Sequence, residues 1–314
     1  MITDALSSKR LTTPPESDTV ASEEHSPEAF YRKIEPERIT INDATFALRR
    51  FGRSGKPLVF IHGFPVHGYT WRKLLPELSR HNQCLVLDLP GLGDSDWHNQ
   101  TDFRFTAQAQ RLNMLLEKLG LRNATLIAHD TGATIARLVA LQCPELVDRL
   151  ILINTEIPGH RPPWIRLHQL SSRLPLAGAM FRRLLQSKRF LHSSMGFKSF
   201  YADREILAQC GMLEPYVLPL TKSAKRMQGM LGYLRGIEWE VLDALTSQHR
   251  DIRARTHLIW GEQDATFPLR FAEQMREQFD PVAPLFRIQN AALMPHEEQP
   301  EQVLSAIKNI LELH

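Results

Sequence analysis

Short runs of Val, Ile and Leu alternate with amphipathic helical patterns over most of this chain. Two alternating segments, Arg38–Asn42 and Thr45–Phe51, flank Asn42-Asp43 and predict an opening β-hairpin. Further apolar runs predict buried parallel strands at Leu58–His62, Cys84–Asp88, Thr125–Ala128, Leu150–Asn154, His257–Trp260 and Leu285–Gln289. Helical patterns lie at Tyr69–Ser79, Thr106–Leu119, Ala133–Gln142, Pro268–Gln278 and Glu298–Leu313. This alternation predicts an α/β fold with a mostly parallel, doubly wound sheet of eight strands, whose catalytic groups gather at the carboxyl ends of the strands.

The alternation stops between Glu156 and about Arg250, where the sequence is helical and rich in Leu, Met, Phe and Arg. We therefore predict a helical cap over residues 156–250, inserted into a core formed by residues 38–155 and 251–314. Residues 1–37 are rich in Ser, Thr, Pro and Glu and predict a flexible N-terminal tail. The tail lacks the apolar stretch of a signal peptide, which favours a cytoplasmic location.

Composition limits the partners that we expect. A chain of 314 residues with 43% hydrophobic residues can bury the core of one α/β domain with an insertion. The net charge of +3 is too small to indicate nucleic acid, and no apolar run approaches the roughly 20 residues that span a bilayer. Cys84, Cys143 and Cys210 are odd in number and widely spaced, which predicts free thiols and no metal site. The sequence leaves the oligomeric state open.

The first part of the predicted cap is strongly basic. From Ile157 to Ala202 it has no acidic residue but carries eight Lys and Arg side chains. Two interpretations stay open, a solvated basic face and a site for an anionic lipid surface or a negatively charged substrate.

The most informative motif is a sharp turn from a strand into a helix, at Ala128-His129-Asp130-Thr131-Gly132. Small residues two positions either side of the apex are what a nucleophile elbow needs, because bulk there would meet the neighbouring backbone. A carboxylate at the apex attacks carbon by displacement and leaves an alkyl ester on the enzyme. The alternative role for Asp130 is that of a helix N-cap.

Three further motifs accompany the elbow in a fixed order. They are His62-Gly63-Phe64-Pro65, the turn that runs from Asp88 to Ser95, and Gly261-Glu262-Gln263-Asp264. Together the four motifs resemble the α/β-hydrolase superfamily, in the branch of epoxide hydrolases and haloalkane dehalogenases. The resemblance extends from about residue 38 to the end, least securely in the cap. It implies a hydrolase without cofactor or metal, acting on a small, largely apolar substrate between sheet and cap.

The resemblance also implies roles for individual residues. Asp130 becomes the nucleophile, and the backbone N–H groups of Phe64 and Thr131 form the oxyanion hole. Dehalogenases usually carry tryptophan where this chain has Thr131, so epoxide hydrolase is the favoured activity. Epoxide hydrolases protonate the epoxide oxygen with cap tyrosines, for which the candidates are Tyr201, Tyr216 and Tyr233. Each of these tyrosines has packing as its alternative role.

Two acidic residues compete for the role of charge-relay acid. Asp264 matches the family position just past a strand end, and its alternative role is that of a turn residue. Glu156 follows another strand, where a subgroup of dehalogenases places its acid, or it stabilises the entry to the cap.

The family's catalytic histidine is missing. Counting back from Glu298 and Pro300 places it on Leu293, and His296 lies three residues later. Three alternatives follow. His296, or His129 or His62 beside the site, supplies the base; or Asp130 and Asp264 serve chemistry that needs no histidine; or the fold is a noncatalytic binder of small molecules. Loss of a general base costs roughly 10²- to 10⁴-fold in rate.

Overall fold

The computed structural model describes residues 26–208 and 211–313. Its centre is a mostly parallel sheet, as predicted. In chain order the strands are β1 (Glu37–Ile41), β2 (Ala44–Phe51), β3 (Pro57–Ile61), β4 (Gln83–Asp88), β5 (Asp96–Trp97), β6 (Ala124–His129), β7 (Val147–Ile153), β8 (Arg255–Gly261) and β9 (Leu285–Ile288). The sheet order is β1-β2-β4-β3-β6-β7-β8-β9, with β5 paired to β2. Only the pairings made by β2 are antiparallel among the described strands.

The predicted eight-stranded α/β-hydrolase sheet is thus confirmed, with one addition. Strand β5 is only two residues long and pairs Asp96 and Trp97 with the start of β2. Two residues are too few to produce a hydrophobic period, so the sequence pattern did not predict this strand.

Most of the described helices connect the strands or fill the insertion. They are α1 (Pro27–Arg32), α2 (Leu75–Leu78), α3 (Phe105–Lys118), α4 (Thr131–Gln142), α5 (Pro163–Ser171), α6 (Ala177–Leu185), α7 (Lys188–Leu191), α8 (Arg204–Ala208), α9 (Glu214–Lys222), α10 (Ala224–Arg235), α11 (Trp239–Gln248), α12 (Leu269–Met275), α13 (Pro295–Glu298) and α14 (Pro300–Leu311). Helix α4 packs on β6, β7 and α3, and its first ten residues are buried. Because the core surrounds α4, the residue that precedes it is held firmly.

The predicted tail needs a correction at its C-terminal end. Residues 1–25 lie outside the described residues, but α1 lies within the predicted tail and is docked on the core. Tyr31 is buried and packs on the rings of Phe51 and Tyr69, at centroid distances of 5.8 and 5.3 Å. Phe30 also stacks on Phe51, at 5.5 Å, so two neighbouring aromatic residues anchor this short helix.

The segment between β7 and β8 is helical, from α5 to α11. Its treatment as a separate cap over residues 156–250 stays a prediction. Among the helices in the described ranges, none combines the length and apolar character that crossing a bilayer requires. Cys84 and Cys143 are free thiols, and Cys210 is not among the described residues.

Candidate active site

Asp130 occupies a strained backbone position between β6 and α4. Its φ and ψ angles are 49° and −129°, and its side chain makes no capping hydrogen bond to the helix. Gly132 explains why small residues flank the turn, since a Cβ there would lie 2.3 Å from the carbonyl oxygen of His62. A buried non-glycine residue at positive φ is typical of functional sites. The geometry therefore favours the elbow position over the N-cap alternative for Asp130.

The side chain of Asp130 is buried against the loop that follows β3. The backbone N–H of Phe64 donates to Asp130 Oδ2 at 2.7 Å, and Phe64–Pro65 is a cis peptide. Gly63 allows this approach, because a Cβ there would lie 2.6 Å from Oδ2. Burial raises the pKa of Asp130 well above its usual value and nearby Glu156 adds to this, while the amides of Phe64 and Thr131 oppose it.

Asp130 opens into a cavity of about 110 Å³ between the sheet and the inserted helices. Most of the lining is aromatic or aliphatic, with Phe64, Phe181, Phe197, Met230, Leu234 and Leu293 among its members. Asp130 and Glu156 are the carboxyl groups among the described lining residues, and Thr131 and Thr266 contribute hydroxyls. An apolar cavity with few polar groups is the usual form of a small-molecule site.

Glu156 is the second carboxyl group of the cavity. Its Oε2 accepts hydrogen bonds from the hydroxyls of Thr134 at 2.7 Å and Thr155 at 3.2 Å. Both bonds go to the same oxygen, which leaves Oε1 without a side-chain donor among the described residues. The Thr155 hydroxyl also lies 2.9 Å from the backbone carbonyl oxygen of Asp130, so one side chain contacts both acidic residues.

A buried arginine supports this second carboxyl group. Arg137 Nη2 donates to the hydroxyls of Thr134 and Thr155, at 2.7 and 3.1 Å, and to the backbone oxygen of Glu156 at 3.0 Å. Burial raises the pKa of Glu156, and the Arg137 charge together with the threonine hydroxyls limits that rise. Burial thus favours the neutral form of Glu156, and Arg137 favours the charged form.

Asp264, the other predicted acid, does not line the cavity. Its Oδ1 accepts from the backbone N–H groups of Thr266 and Phe267, at 2.7 and 3.0 Å, and its Oδ2 accepts from Asn154 Nδ2 at 2.7 Å. Burial raises the pKa of Asp264 to about 7. These three donors hold the carboxyl group in place, and the role of Asp264 as the acid that orients a base stays a prediction.

The three histidines proposed as the base are buried away from the cavity lining. His62 accepts from the Leu89 N–H at Nε2 and lies 2.8 Å from the Gly63 carbonyl through Nδ1. His129 Nε2 lies 2.8 Å from the backbone oxygen of Leu293. Burial lowers the pKa of His62 and of His129 to about 4.

His296 is fixed in the same interior. Its Nε2 lies 2.7 Å from Thr70 Oγ1, and its ring stacks on Trp71 at 4.6 Å. Burial lowers its pKa well below the usual value. The expectation that His296 is the base is therefore corrected, because a packed ring outside the cavity cannot reach a water beside Asp130.

Leu293 occupies the position that the family resemblance assigns to the histidine, and it does line the cavity. His168 on α5 also lines the cavity, and it was not identified from the sequence as a site residue. Its Nε2 lies 2.9 Å from the backbone oxygen of Met195, and burial lowers its pKa. The signal was the helical spacing of Trp164, Ile165 and His168, all of which face the cavity.

Two of the predicted tyrosines serve a different carboxylate. The hydroxyls of Tyr201 and Tyr216 both donate to buried Glu297, the former at 3.0 Å. Glu297 also pairs with Arg72 Nη1 at 2.9 Å and accepts from Thr70 Oγ1 at 3.0 Å. Neither tyrosine lines the cavity, so the expectation that they protonate a substrate there is corrected.

Tyr233 lies nearer to the elbow. Its hydroxyl is 3.0 Å from Thr131 Oγ1, and its ring stacks on Phe64 at 5.7 Å. It contributes no cavity lining, and burial raises the pKa of its phenol. Tyr233 therefore contacts the site through the Thr131 hydroxyl and fixes the position of Phe64.

No group of three or more His, Cys, Asp or Glu side chains within the described ranges is arranged to hold a metal ion. Asp130, Glu156, Phe64, Thr131 and Leu293 are thus the predicted site residues that share the cavity.

Comparisons with known proteins place the chain in a family. The family model described as alpha/beta hydrolase fold matches residues 56–300. Epoxide hydrolase 4 of Mus musculus is 29% identical over 237 residues, which cover 71% of this chain and 64% of the mouse protein, slightly less than two thirds of its length. A cis-3-alkyl-4-alkyloxetan-2-one decarboxylase of Shewanella oneidensis is 27% identical over 271 residues, covering 82% of each chain.

Solved structures support the same fold. The structure of the epoxide hydrolase CorEH without ligand superposes with a TM-score of 0.71 at 22% identity, covering 89% of this chain and 99% of that one. The family match covers most of the chain and includes the elbow and the loop that donates to Asp130. The chain belongs to the alpha/beta hydrolase fold family and is related to epoxide hydrolases.

Proposed function

We propose that this α/β-hydrolase opens small, largely apolar epoxides, with Asp130 as nucleophile and without cofactor. The observation that carries the proposal is that Asp130 lies at a strained elbow, makes no capping bond, and lines an apolar cavity. The Phe64 N–H at 2.7 Å from Oδ2 supports an oxyanion hole, with the Thr131 N–H as the second donor.

The proposal assigns to Glu156 the proton transfers that a histidine and a tyrosine perform in relatives. Two buried carboxyl groups that repel each other retain one proton between them. The amides of Phe64 and Thr131 favour charge on Asp130, whereas Arg137 and the threonine hydroxyls favour charge on Glu156. The reactive form in this proposal is the one in which Asp130 is the carboxylate and Glu156 holds the proton. This arrangement gives one nucleophile and one acid in the same dry cavity.

The first step forms an ester. A carboxylate oxygen of Asp130 attacks an epoxide carbon, the carbon–oxygen bond breaks, and the epoxide oxygen takes the proton of Glu156. The second step hydrolyses that ester. Glu156, now a carboxylate, takes one proton from water, and the water oxygen attacks Cγ of Asp130. The bond between Cγ and the ester oxygen breaks, and the diol leaves with the second proton of the water. Asp130 is then a carboxylate again and Glu156 is protonated again. The same acid-then-base exchange operates in retaining glycosidases.

Mass spectrometry of the intact protein tests the proposal. Exposure to styrene oxide is expected to give an adduct on the peptide that contains Asp130, and the diol as product. Asp130→Asn is expected to give neither. After one turnover in heavy-oxygen water, the peptide containing Asp130 should carry one labelled oxygen, because water attacks the carboxyl carbon.

An alkyl bromide separates the two roles of Glu156. Bromide leaves without a proton, so Glu156→Gln should still form the ester on Asp130 and then accumulate it. An unmodified mass with epoxide and bromide alike would reject the nucleophile and favour a noncatalytic binder.

One observation favours a second candidate, which is non-hydrolytic chemistry on a strained ring. Leu293 stands where the base for water is expected, and the cavity is apolar. The Shewanella relative is named for decarboxylation of a dialkyl oxetanone. Incubation with a 3,4-dialkyl oxetan-2-one decides between them, because an alkene and carbon dioxide indicate decarboxylation, whereas a hydroxy acid indicates hydrolysis.

A further inference from the structure

The inserted segment carries an unusual concentration of exposed apolar side chains. Of eight large apolar residues that are exposed in the described part of the chain, five fall between residues 167 and 180. We call these five the apolar patch: Leu167, Leu170, Leu174, Leu176 and Met180. They lie on α5, on α6 and on the turn between these helices. Exposed apolar residues scattered singly need no explanation, whereas a cluster marks an interaction surface.

Leu176 is the most prominent member of the patch. It is 82% exposed and adopts a left-handed conformation, with φ of 61°, at the start of α6. Bulky side chains rarely adopt positive φ, so the turn holds Leu176 outward at a conformational cost. Neither burial nor packing explains a leucine in this position.

Positive charge surrounds the apolar patch. The exposed cations in the same stretch are Arg166, Arg173, Arg183, Lys188, Arg189 and Lys198. None of them forms an ion pair with another described residue, and the stretch from Ile157 to Ala202 has no acidic residue. Arg161, by contrast, pairs with Asp243. The combination of outward leucines and unpaired cations is complementary to an interface that is apolar inside and anionic outside.

The patch continues into a groove that borders the candidate active site. The groove has a volume of about 470 Å³, and Leu167 and Met180 of the patch line it together with Arg189. Four of its lining residues also line the cavity of Asp130, namely His168, Phe181, Phe190 and Met195. One layer of side chains therefore separates the groove from the cavity.

We infer that the apolar patch and its cations dock this protein on the surface of an anionic lipid bilayer. The leucines enter the acyl boundary and the cations contact the headgroups. Nucleic acid fits less well, because phosphate binding uses cations and gives exposed leucines no partner. A further consequence, which rests on the proposed function, is that the substrate is an apolar epoxide dissolved in the bilayer that reaches Asp130 through the groove.

Co-sedimentation of the full chain with vesicles tests the docking. Vesicles that contain phosphatidylglycerol should retain the protein, whereas pure phosphatidylcholine vesicles should not, and added salt should weaken the binding. Arg173→Gln with Arg183→Gln should weaken it roughly 25-fold, at about fivefold per charge. Arg53→Gln with Arg122→Gln removes the same charge from exposed arginines elsewhere and should leave binding unchanged.

A second set of variants tests the leucines. Replacing Leu170, Leu174 and Leu176 by Ser should weaken vesicle binding roughly tenfold or more, without loss of stability because all three side chains are exposed. The matched control replaces Met114, Leu218 and Val282 by Ser, the three exposed large apolar residues outside the patch in the described chain. Equal losses in the two sets would overturn the inference.

Two other partners of the apolar patch, a second copy of the chain and nucleic acid, can be distinguished from a lipid bilayer by experiment. If sedimentation velocity shows a dimer that the leucine variants dissociate, the face is a self-association surface and lipid docking is wrong. If short DNA duplexes bind at a salt concentration at which anionic vesicles do not, the partner is nucleic acid. Absence of binding to anionic vesicles at low salt also rejects the inference.

The substrate route has its own measurement. A long-chain alkyl epoxide in anionic vesicles should be hydrolysed more slowly by the leucine variant, while styrene oxide in solution is turned over at the unchanged rate. If the leucine variant and the wild type hydrolyse the long-chain epoxide in vesicles at the same rate, the route through the groove is wrong, whereas the docking inference is unaffected. If wild-type protein turns over neither substrate, the proposed function fails while the vesicle-binding result still decides the docking.

Discussion

The protein buries carboxyl groups in two contrasting ways. Glu297 is saturated by an arginine, two tyrosine hydroxyls and a threonine hydroxyl, and it lies outside the cavity lining. Asp130 and Glu156 are equally buried but face a cavity, and each leaves part of its hydrogen-bonding capacity unused. Glu297 therefore has the environment of a structural charge, whereas the cavity pair has the environment of reactive groups.

The largest effect on folding should come from Glu297. Glu297→Gln leaves buried Arg72 with only the exposed Glu28 as a charge partner and is expected to lower the free energy of unfolding by about 3 kcal/mol. Asp130→Asn should leave it unchanged or raise it, because a neutral amide replaces a carboxylate whose burial costs free energy. Urea denaturation measures both.

The matched control is Glu301→Gln on an exposed glutamate, which should stay within about 0.5 kcal/mol of wild type. If the substitutions at Glu297 and Asp130 lower the free energy of unfolding equally, the distinction between a structural carboxyl group at Glu297 and a reactive one at Asp130 is wrong.

The next largest effect is on the reaction rate and tests whether Glu156, unlike Glu297, is a reactive group. Glu156→Gln should lower kcat for styrene oxide by roughly 10²- to 10³-fold, since it removes both the acid and the base. The wild-type rate should have a bell-shaped pH profile, because the reactive pair carries one proton and both limbs belong to the pair. The variant should lose that shape.

Arg137→Met offers a supporting variant for the same prediction. It removes the charge that limits the rise of the Glu156 pKa, so the alkaline limb should move to higher pH. A profile that stays the same in both variants would contradict the assignment of Glu156.

Leu293→His tests whether the cavity can regain the histidine of its relatives. The imidazole would enter an apolar lining, and both oxygens of Asp264 are already occupied. We expect a loss of about 1–3 kcal/mol in unfolding free energy and a rate increase below about tenfold. Leu293→Met, of similar volume, is the control. A larger increase would show that the second step lacks a base, and Glu156 would lose that role.

The sequence predicted the scaffold well, because strand burial and the elbow depend on local patterns. Ala128 and Gly132 identify the turn, and the position of Asp130 follows from them. The orientation of Tyr201, Tyr216 and His296 could not be predicted, since it depends on a buried network around Glu297 that joins residues more than 200 positions apart. Likewise, nothing in Gly261-Glu262-Gln263-Asp264 indicates that Asn154, from another strand end, occupies an oxygen of Asp264.

Buried carboxyl groups should also differ in how they make stability depend on pH. Burial raises the pKa of Asp264 to about 7, whereas an unfolded aspartate titrates near 4. The native state therefore binds more protons than the unfolded state between about pH 4 and pH 7, so the unfolding free energy should fall as pH rises through this window. The slope is up to about 1.4 kcal/mol per pH unit for one fully released proton.

Asp264→Asn should flatten part of this slope when urea denaturation is repeated across the window, whatever it does to stability at one pH. Glu298, whose pKa burial also raises to about 7, should supply a slope of the same sign that remains in the variant. Glu301→Gln again serves as the control, because it replaces an exposed carboxyl group. An unchanged slope in Asp264→Asn would mean that the three hydrogen bonds to Asp264 outweigh its burial.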